Sequence, residues 1–270
     1  SDPLPMRPSR IKAKLARNEP VLVTQLHLTD PSVFEMTSLM GFDGIWMDME
    51  HHGYSLETAA GLMRAARVGV SDIIARPAKG EFMRMQRMLE AGAHGIMYPR
   101  CDDAAEAALA VSWAKFAPLG RRGFDGAGAD VPYLAMPMDR YVEEANRQTF
   151  LVVQIETAEA LAHAEEIIAV EGVDVLMLGP ADFSILSGIP GQFDHERIEQ
   201  AKRTLAAAAR KAGKHWGCPA AGPDDTRRLL DLGARFICHM ADIVLVKQGL
   251  DRIREEFAPL GFTFEDRLNG

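Results

Sequence analysis

The sequence predicts an α/β fold, a (β/α)8 TIM barrel, on three observations. Short apolar runs rich in Val, Ile and Leu recur along the chain, and a stretch of helical periodicity follows each. The runs are too apolar for sheet exposed on one face, as expected of parallel strands buried between a core and outer helices. The length, 270 residues, suits one such barrel with little decoration. A single domain spanning 1–270 is therefore expected.

The strands fall at 20–27, 43–49, 72–76, 94–98, 150–155, 173–178, 214–218 and 235–239. The helix-like stretches between them are 31–40, 56–67, 81–91, 102–116, 157–169, 195–212, 223–232 and 241–256. Several open on Asp, Ser or Thr, whose side chains accept from the first free N–H groups of a helix, and several close on Gly. Leu89-Glu90-Ala-Gly-Ala and Leu230-Asp-Leu-Gly-Ala read as equivalent helix-to-strand turns. The irregular stretch is 117–149, Gly-rich at first, with a short helical piece near 139–147. Its length suggests a lid, a binding loop or an interface arm, with Phe124, Tyr133 and Met136 as anchors.

Composition narrows the function. The chain is 47% hydrophobic and 25% charged, with a net charge of -8, so it offers no basic field for nucleic acid or an anionic membrane. Any anionic substrate must be met by local charges. Cys101, Cys218 and Cys238 are an odd set without C-x-x-C spacing, which fits reduced thiols better than a disulfide framework or a zinc site. No apolar run reaches the ~18 residues of a membrane span, and Ser1-Asp-Pro-Leu-Pro5 lacks a secretory pattern. A soluble, cytoplasmic protein is expected.

The chemistry concentrates at strand ends. Glu156 closes one apolar strand and Asp182 follows the next, about one strand-helix repeat later, which places two carboxylates side by side at the C-terminal rim. Each alone reads better as a helix cap than as a ligand. Together they suggest a hard divalent cation whose coordination is completed by substrate and water. The second strand ends in Asp48-Met-Glu50-His51-His52, with His51 free to lean over the site as acid or base, or to bond within its own loop. Arg76 follows an apolar strand, where a guanidinium demands an anionic partner, either substrate or Asp48 or Glu50. No lysine falls inside a core strand, which favours metal over imine chemistry. Arg121 and Arg122 in the long loop are weaker candidates for an anion.

Five blocks in order then resemble the HpcH/HpaI aldolase family, the metal-dependent 2-oxo acid aldolases. They are Gly41-Phe-Asp-Gly-Ile-Trp-Met-Asp-Met-Glu-His51, Ala75-Arg76-Pro77, Leu89-Glu90-Ala-Gly-Ala, Gln154-Ile-Glu156 and Glu171-Gly-Val-Asp-Val-Leu-Met-Leu-Gly-Pro-Ala-Asp182-Phe-Ser184. The resemblance implies that Glu156 and Asp182 ligate the metal, Mg2+ or Mn2+ with Co2+ or Zn2+ as further candidates. Gln154 and the backbone at Ala181 would help hold a pyruvate or hydroxypyruvate donor, Arg76 would stabilise the enolate, and His51 would be the base. Glu90 stands where the family has an aspartate partnering that histidine. Met49 to Tyr54 and the loop 124–130 also depart from the family pattern. The implied activity is reversible aldol addition of a 2-oxo acid to an aldehyde. The rivals are a citramalyl-CoA type lyase and an inactive barrel used as a binding subunit. Relatives form hexamers that exchange the C-terminal helix, which would make 241–257 an interface.

Overall fold

In the computed structural model of the chain, which describes residues 6–268, eight parallel strands close into one barrel in sequence order. The strands are β1 Val21–Leu26, β2 Gly44–Asp48, β3 Asp72–Arg76, β4 Gly95–Tyr98, β5 Phe150–Ile155, β6 Val175–Leu178, β7 His215–Pro219 and β8 Phe236–Ala241. Every expected strand is present. Closure comes from β1 pairing with β8, with a shift of register between Val23 and Gln25.

Numbered in chain order, the outer helices include α2 Pro31–Leu39, α3 Leu56–Ala66, α4 Phe82–Ala91, α5 Ala104–Ala114, α10 Glu196–Ala212 and α11 Pro223–Asp231. Asp30, Ser55 and Asp103 cap α2, α3 and α5 through side-chain oxygens, as the sequence suggests. The two repeated turns behave alike, with Gly92 at φ 123° and Gly233 at φ 87°, a backbone region that disfavours other residues. The stretch 157–169 divides at His163 into α7 Ala158–Ala162 and α8 Ala164–Ala169. The sequence pattern misses two helices, α1 Arg10–Ala16 and α9 Pro180–Leu186. The last helix is α12 Asp242–Phe257.

The long segment is not a lid over this chain's own site. It leaves the C-terminal end of α5 and returns through α6 Met138–Gln148 to the start of β5, so it lies at the N-terminal pole of the barrel. Arg122 is buried there, its guanidinium donating to Asp130 at 2.8 Å and to the Tyr141 hydroxyl at 3.0 Å. The Arg121-Arg122 pair is therefore no anion-binding face at Arg122. Met136 joins the buried cluster around Phe116 and Tyr141, whereas Tyr133 stays exposed.

The same pole is plugged by α1, whose Ile11 and Leu15 enter the apolar barrel interior with Val21, Val23, Phe150 and Phe236. Asp72, fully buried at the start of β3, anchors the plug by accepting from the Ser9 hydroxyl at 2.6 Å and from the Arg10 and Ile11 N–H groups. Cys101, Cys218 and Cys238 are buried and unbridged. Among the described residues no helix is long and apolar enough to cross a membrane. Ser1–Pro5, read above for a secretory pattern, lie outside the described residues.

Replacing Asp72 with Ala strands three donors at once. Asp72→Ala should cost about 3 kcal/mol and lower the thermal midpoint by several degrees; an unchanged midpoint would show that α1 needs no such anchor.

Candidate active site

At the opposite pole, the C-terminal ends of the strands surround a cavity of about 500 Å³. His51, Arg76, Gln154, Glu156, Ala181 and Asp182 all line it. Of the residues to which the family resemblance assigns a role, Glu90 alone is absent from its wall.

Arg76 ends β3, with its guanidinium 4.6 Å above the Trp46 ring. Asp48, at the end of neighbouring β2, accepts from Arg76 Nε at 2.9 Å and from Nη2 at 2.6 Å, a bidentate pair. Glu50 lies 3.3 Å from the same guanidinium, so both carboxylates considered as partners are engaged. Burial opposes ionisation of Asp48, but the hydrogen bonds and charge of Arg76 outweigh it and hold the carboxyl below its ordinary value. Glu50 goes the other way: burial raises it, and Arg76 only partly compensates. Arg76 Nη1 also donates to Gln154 Oε1 at 3.1 Å, which fixes which end of that amide faces the arginine.

The two candidate metal carboxylates differ in setting. Glu156 directly follows β5 and is buried, accepting from the Arg100 N–H at 2.8 Å. Gly179 makes room for it, since a Cβ there would stand 2.3 Å from Glu156 Oε1. Asp182 is not at a strand end. It is the third residue of α9, because Pro180 starts a helix immediately after β6, and its side chain is 34% exposed. Arg100, at φ 47°, reaches to 3.7 Å from Asp182 while presenting its N–H to Glu156. Sequence reasoning missed Arg100, because nothing in the sequence marks that left-handed backbone.

Burial pushes the Glu156 carboxyl up to about 7, with the charge of Asp182 adding to the rise and the Arg100 N–H opposing it. Glu156 is thus a buried carboxyl beside a second one, held by a backbone N–H with no side-chain cation in hydrogen-bonding contact. Among the described residues no group of three or more His, Cys, Asp or Glu side chains is placed to hold an ion.

His51 leans into the cavity with its side chain 60% exposed and Nε2 3.6 Å from Glu50 Oε2. The expected pairing with Glu90 does not form within the chain. Glu90 lies in the last turn of α4, just before β4 begins, hence at the other pole of the barrel. It accepts there from Gln86 at 3.1 Å, and burial raises its carboxyl.

The raised Glu156 carboxyl has a sign that can be tested in chelator-treated protein. A group raised on folding contributes stability that is complete below its unfolded value of 4.5 and is lost as pH climbs through about 7. Between pH 5 and 8 the wild type should therefore lose about 3 kcal/mol relative to Glu156→Gln, which cannot titrate. Denaturant unfolding of both proteins at the two pH values measures this; a gap that does not change with pH would mean the carboxyl ionises normally.

Comparisons with known proteins place the chain in a family. Residues 23–247 match the family model of HpcH/HpaI aldolase/citrate lyase. The chain is 33% identical over 245 residues to a hydroxypyruvate/pyruvate aldolase of Delftia acidovorans, covering 91% of this chain and 90% of that one. It is 30% identical over 243 residues to a 2-keto-3-deoxy-L-rhamnonate aldolase of Escherichia coli, covering 89% and 90% of the two chains. The crystal structure of an HpcH/HpaI aldolase from Desulfitobacterium hafniense superposes with a TM-score of 0.85 at 28% identity, covering 91% of this chain and 95% of that one. By sequence and by fold, the chain belongs to the HpcH/HpaI aldolase/citrate lyase family.

Proposed function

We infer that this chain, a 2-oxo acid aldolase by family, works on pyruvate or hydroxypyruvate as donor through the residues gathered at the barrel mouth. The observation that carries the reading is the buried carboxyl of Glu156 beside Asp182, sharing one cavity with Arg76 and Gln154. Glu156 and Asp182 would hold a divalent cation, Mg2+ or Mn2+ with Co2+ and Zn2+ as alternatives. Bound there, the cation supplies Lewis acidity that makes the C–H beside the donor's keto group easier to ionise.

The chain's own groups do the rest. The Ala181 N–H, in the first turn of α9, has no acceptor within its helix and is free to receive the donor carboxylate. The amide nitrogen of Gln154 is available for the same carboxylate, since its oxygen is occupied by Arg76. Arg76, already oriented, faces the oxygen on which charge develops as the C3 proton leaves. His51 takes that proton, directly or through water, and its exposure lets it exchange with solvent. In the forward direction the donor C3 then bonds to the aldehyde carbon and the aldehyde oxygen becomes a hydroxyl. The thioester-lyase alternative is the weaker one: the family model covers citrate lyase as well as aldolase, but the citrate lyase β subunit shares only 16% identity with this chain.

Assembly belongs to the same reading. Within α12, Ile243, Val244, Leu245, Val246, Leu250 and Ile253 are all exposed, and Asp242 is its only buried residue. A helix this apolar suits exchange between copies in a homo-oligomer, with 241–257 as interface. Glu90 serves His51 only if a neighbouring copy presents it. The long segment 117–149 is the arm available for such a contact.

Two measurements test these points. Exchange of donor C3 protons into D2O, followed by NMR, should depend on Mg2+ or Mn2+ and fall roughly 10²- to 10³-fold in Arg76→Ala; wild-type exchange in that variant would remove Arg76 from the reaction. Light scattering of Leu250→Asp/Ile253→Asp should give a smaller assembly than wild type, and equal masses would show that α12 is not an interface.

A further inference from the structure

Among the described residues, Arg100 is the one side chain that forms an ion pair with either Glu156 or Asp182, its Nη2 standing 3.7 Å from Asp182 Oδ1. At that distance, with 43% of its side chain exposed, the guanidinium is too loose to satisfy the carboxylate. Its backbone is tightly held. Arg100 follows Pro99 just beyond β4 and takes φ 47°, a left-handed conformation that strains an ordinary residue and not a glycine. The N–H donates to Glu156 at 2.8 Å, and the carbonyl accepts from Lys79 Nζ at 2.6 Å. Lys79 is itself fixed by Asp102 at 2.6 Å and Glu106 at 3.1 Å, and Glu106 accepts from the Tyr98 hydroxyl at 2.7 Å. A glycine could make both backbone hydrogen bonds without strain. The position instead carries a long cation rooted in a backbone that cannot retreat, so its guanidinium needs a reason of its own.

We propose that Arg100 is a charge-setting residue, which weakens the hold of the site on the divalent cation and strengthens its hold on the anionic donor; this rests on the metal-dependent aldolase reading given above. The donor set fits such a cation, being two hard carboxylates in one cavity, with Glu156 buried and Asp182 partly open. The two effects of Arg100 are opposite in sign. A cation arriving at Glu156 and Asp182 meets a positive charge already tethered beside them, and its double charge doubles the repulsion. The donor carboxylate, received at Ala181 one residue from Asp182, is attracted by the same guanidinium. Arg76 adds little to this field, because Asp48 neutralises it.

Magnitudes follow from the distances a pinned arginine can reach. At roughly 6 to 10 Å through water, a unit charge changes affinity about four- to tenfold for a divalent cation and about two- to threefold for a monovalent anion. Swinging the side chain into solvent lessens both effects and abolishes neither. Salt screens both, since the guanidinium is exposed. The cation is thus held loosely in the donor-free site, and the donor's own oxygens supply the rest of the hold.

The test titrates Mn2+ into wild type, Arg100→Gln and Arg100→Lys, reading free Mn2+ by electron paramagnetic resonance, and then titrates pyruvate at saturating Mn2+ by calorimetry, each at low and at high salt. Arg100→Gln keeps the backbone N–H that serves Glu156 and removes the charge. At low salt it should bind Mn2+ about four- to tenfold more tightly than wild type and pyruvate about two- to threefold more weakly. Both differences should shrink at high salt. Arg100→Lys, which keeps the charge, should stay close to wild type for both ligands. A lesion of the fold would weaken both ligands together and ignore salt. Unchanged or weaker Mn2+ binding in Arg100→Gln, unchanged pyruvate affinity, or Arg100→Lys behaving like Arg100→Gln would each overturn the proposal. Wild type that binds no Mn2+ would instead overturn the metal reading, and this proposal with it.

Discussion

A guanidinium stripped of water at the mouth of a barrel has to be paired, and the pairing of Arg76 with Asp48 sets much of what surrounds it. Asp48 spends both oxygens on Arg76, yet Oδ1 also accepts from the Glu50 N–H at 3.0 Å and the His51 N–H at 3.4 Å. The carboxylate that orients the arginine therefore also shapes the turn carrying the histidine. Arg76 in turn claims the oxygen of Gln154 at 3.1 Å, and Trp46 supports its flat face. One ion pair thus fixes Arg76, His51 and Gln154 relative to one another before any substrate arrives. Preorganisation of this kind lets fixed charge act on a developing oxyanion without reorganising during the reaction.

The electrostatic balance of the mouth is lopsided in a useful way. The positive charge of Arg76 is already satisfied by Asp48, whereas Glu156 has no side-chain cation in hydrogen-bonding contact and is raised by burial and by the charges of Asp182 and Glu50. Arg100 approaches Asp182 only to 3.7 Å and is itself largely exposed, so it offsets little. The deficit is one of positive charge at the floor of the cavity, where Glu156 is most buried. In the proposed reading, a divalent cation held by Glu156 and Asp182 would remove it. The same argument explains why an acidic chain can act on an anionic donor: the attraction is local, not a property of the net charge of -8.

Much of this was legible in the sequence, for a definite reason. Apolar runs long enough to be strands and too apolar to be half-exposed identify a parallel barrel, and polar residues ending such runs must emerge at one pole. Arg76 and Glu156 were readable on that basis, and Gln154 through the family resemblance. Asp182 was legible as a site residue, but its place on α9 required reading Gly179-Pro180 as a helix start. The lid expectation failed on topology: a segment between a helix and the next strand lies at the N-terminal pole, as does Glu90 near the end of α4. Arg100 was not readable, because its place depends on a left-handed backbone.

The two poles divide the labour, and one contact route joins assembly to chemistry. The N-terminal pole holds the α1 plug, the Asp72 anchor and the long segment around Arg122, all structural. At the other pole α12 begins with Asp242, whose carboxylate accepts from the His27 and Leu28 N–H groups at 2.8 and 2.9 Å. His27 stacks on His52 with ring centroids 4.0 Å apart, and His52 Nε2 stands 3.7 Å from Asp48. The start of the most exposed apolar helix is thereby three contacts from the carboxylate that orients Arg76. In the proposed assembly, a partner docked on α12 would steady Asp242, and through it the end of β1 against which His52 and Asp48 rest. Surface apolarity that would be a liability in a lone barrel becomes, in an assembly, support for the geometry of the site.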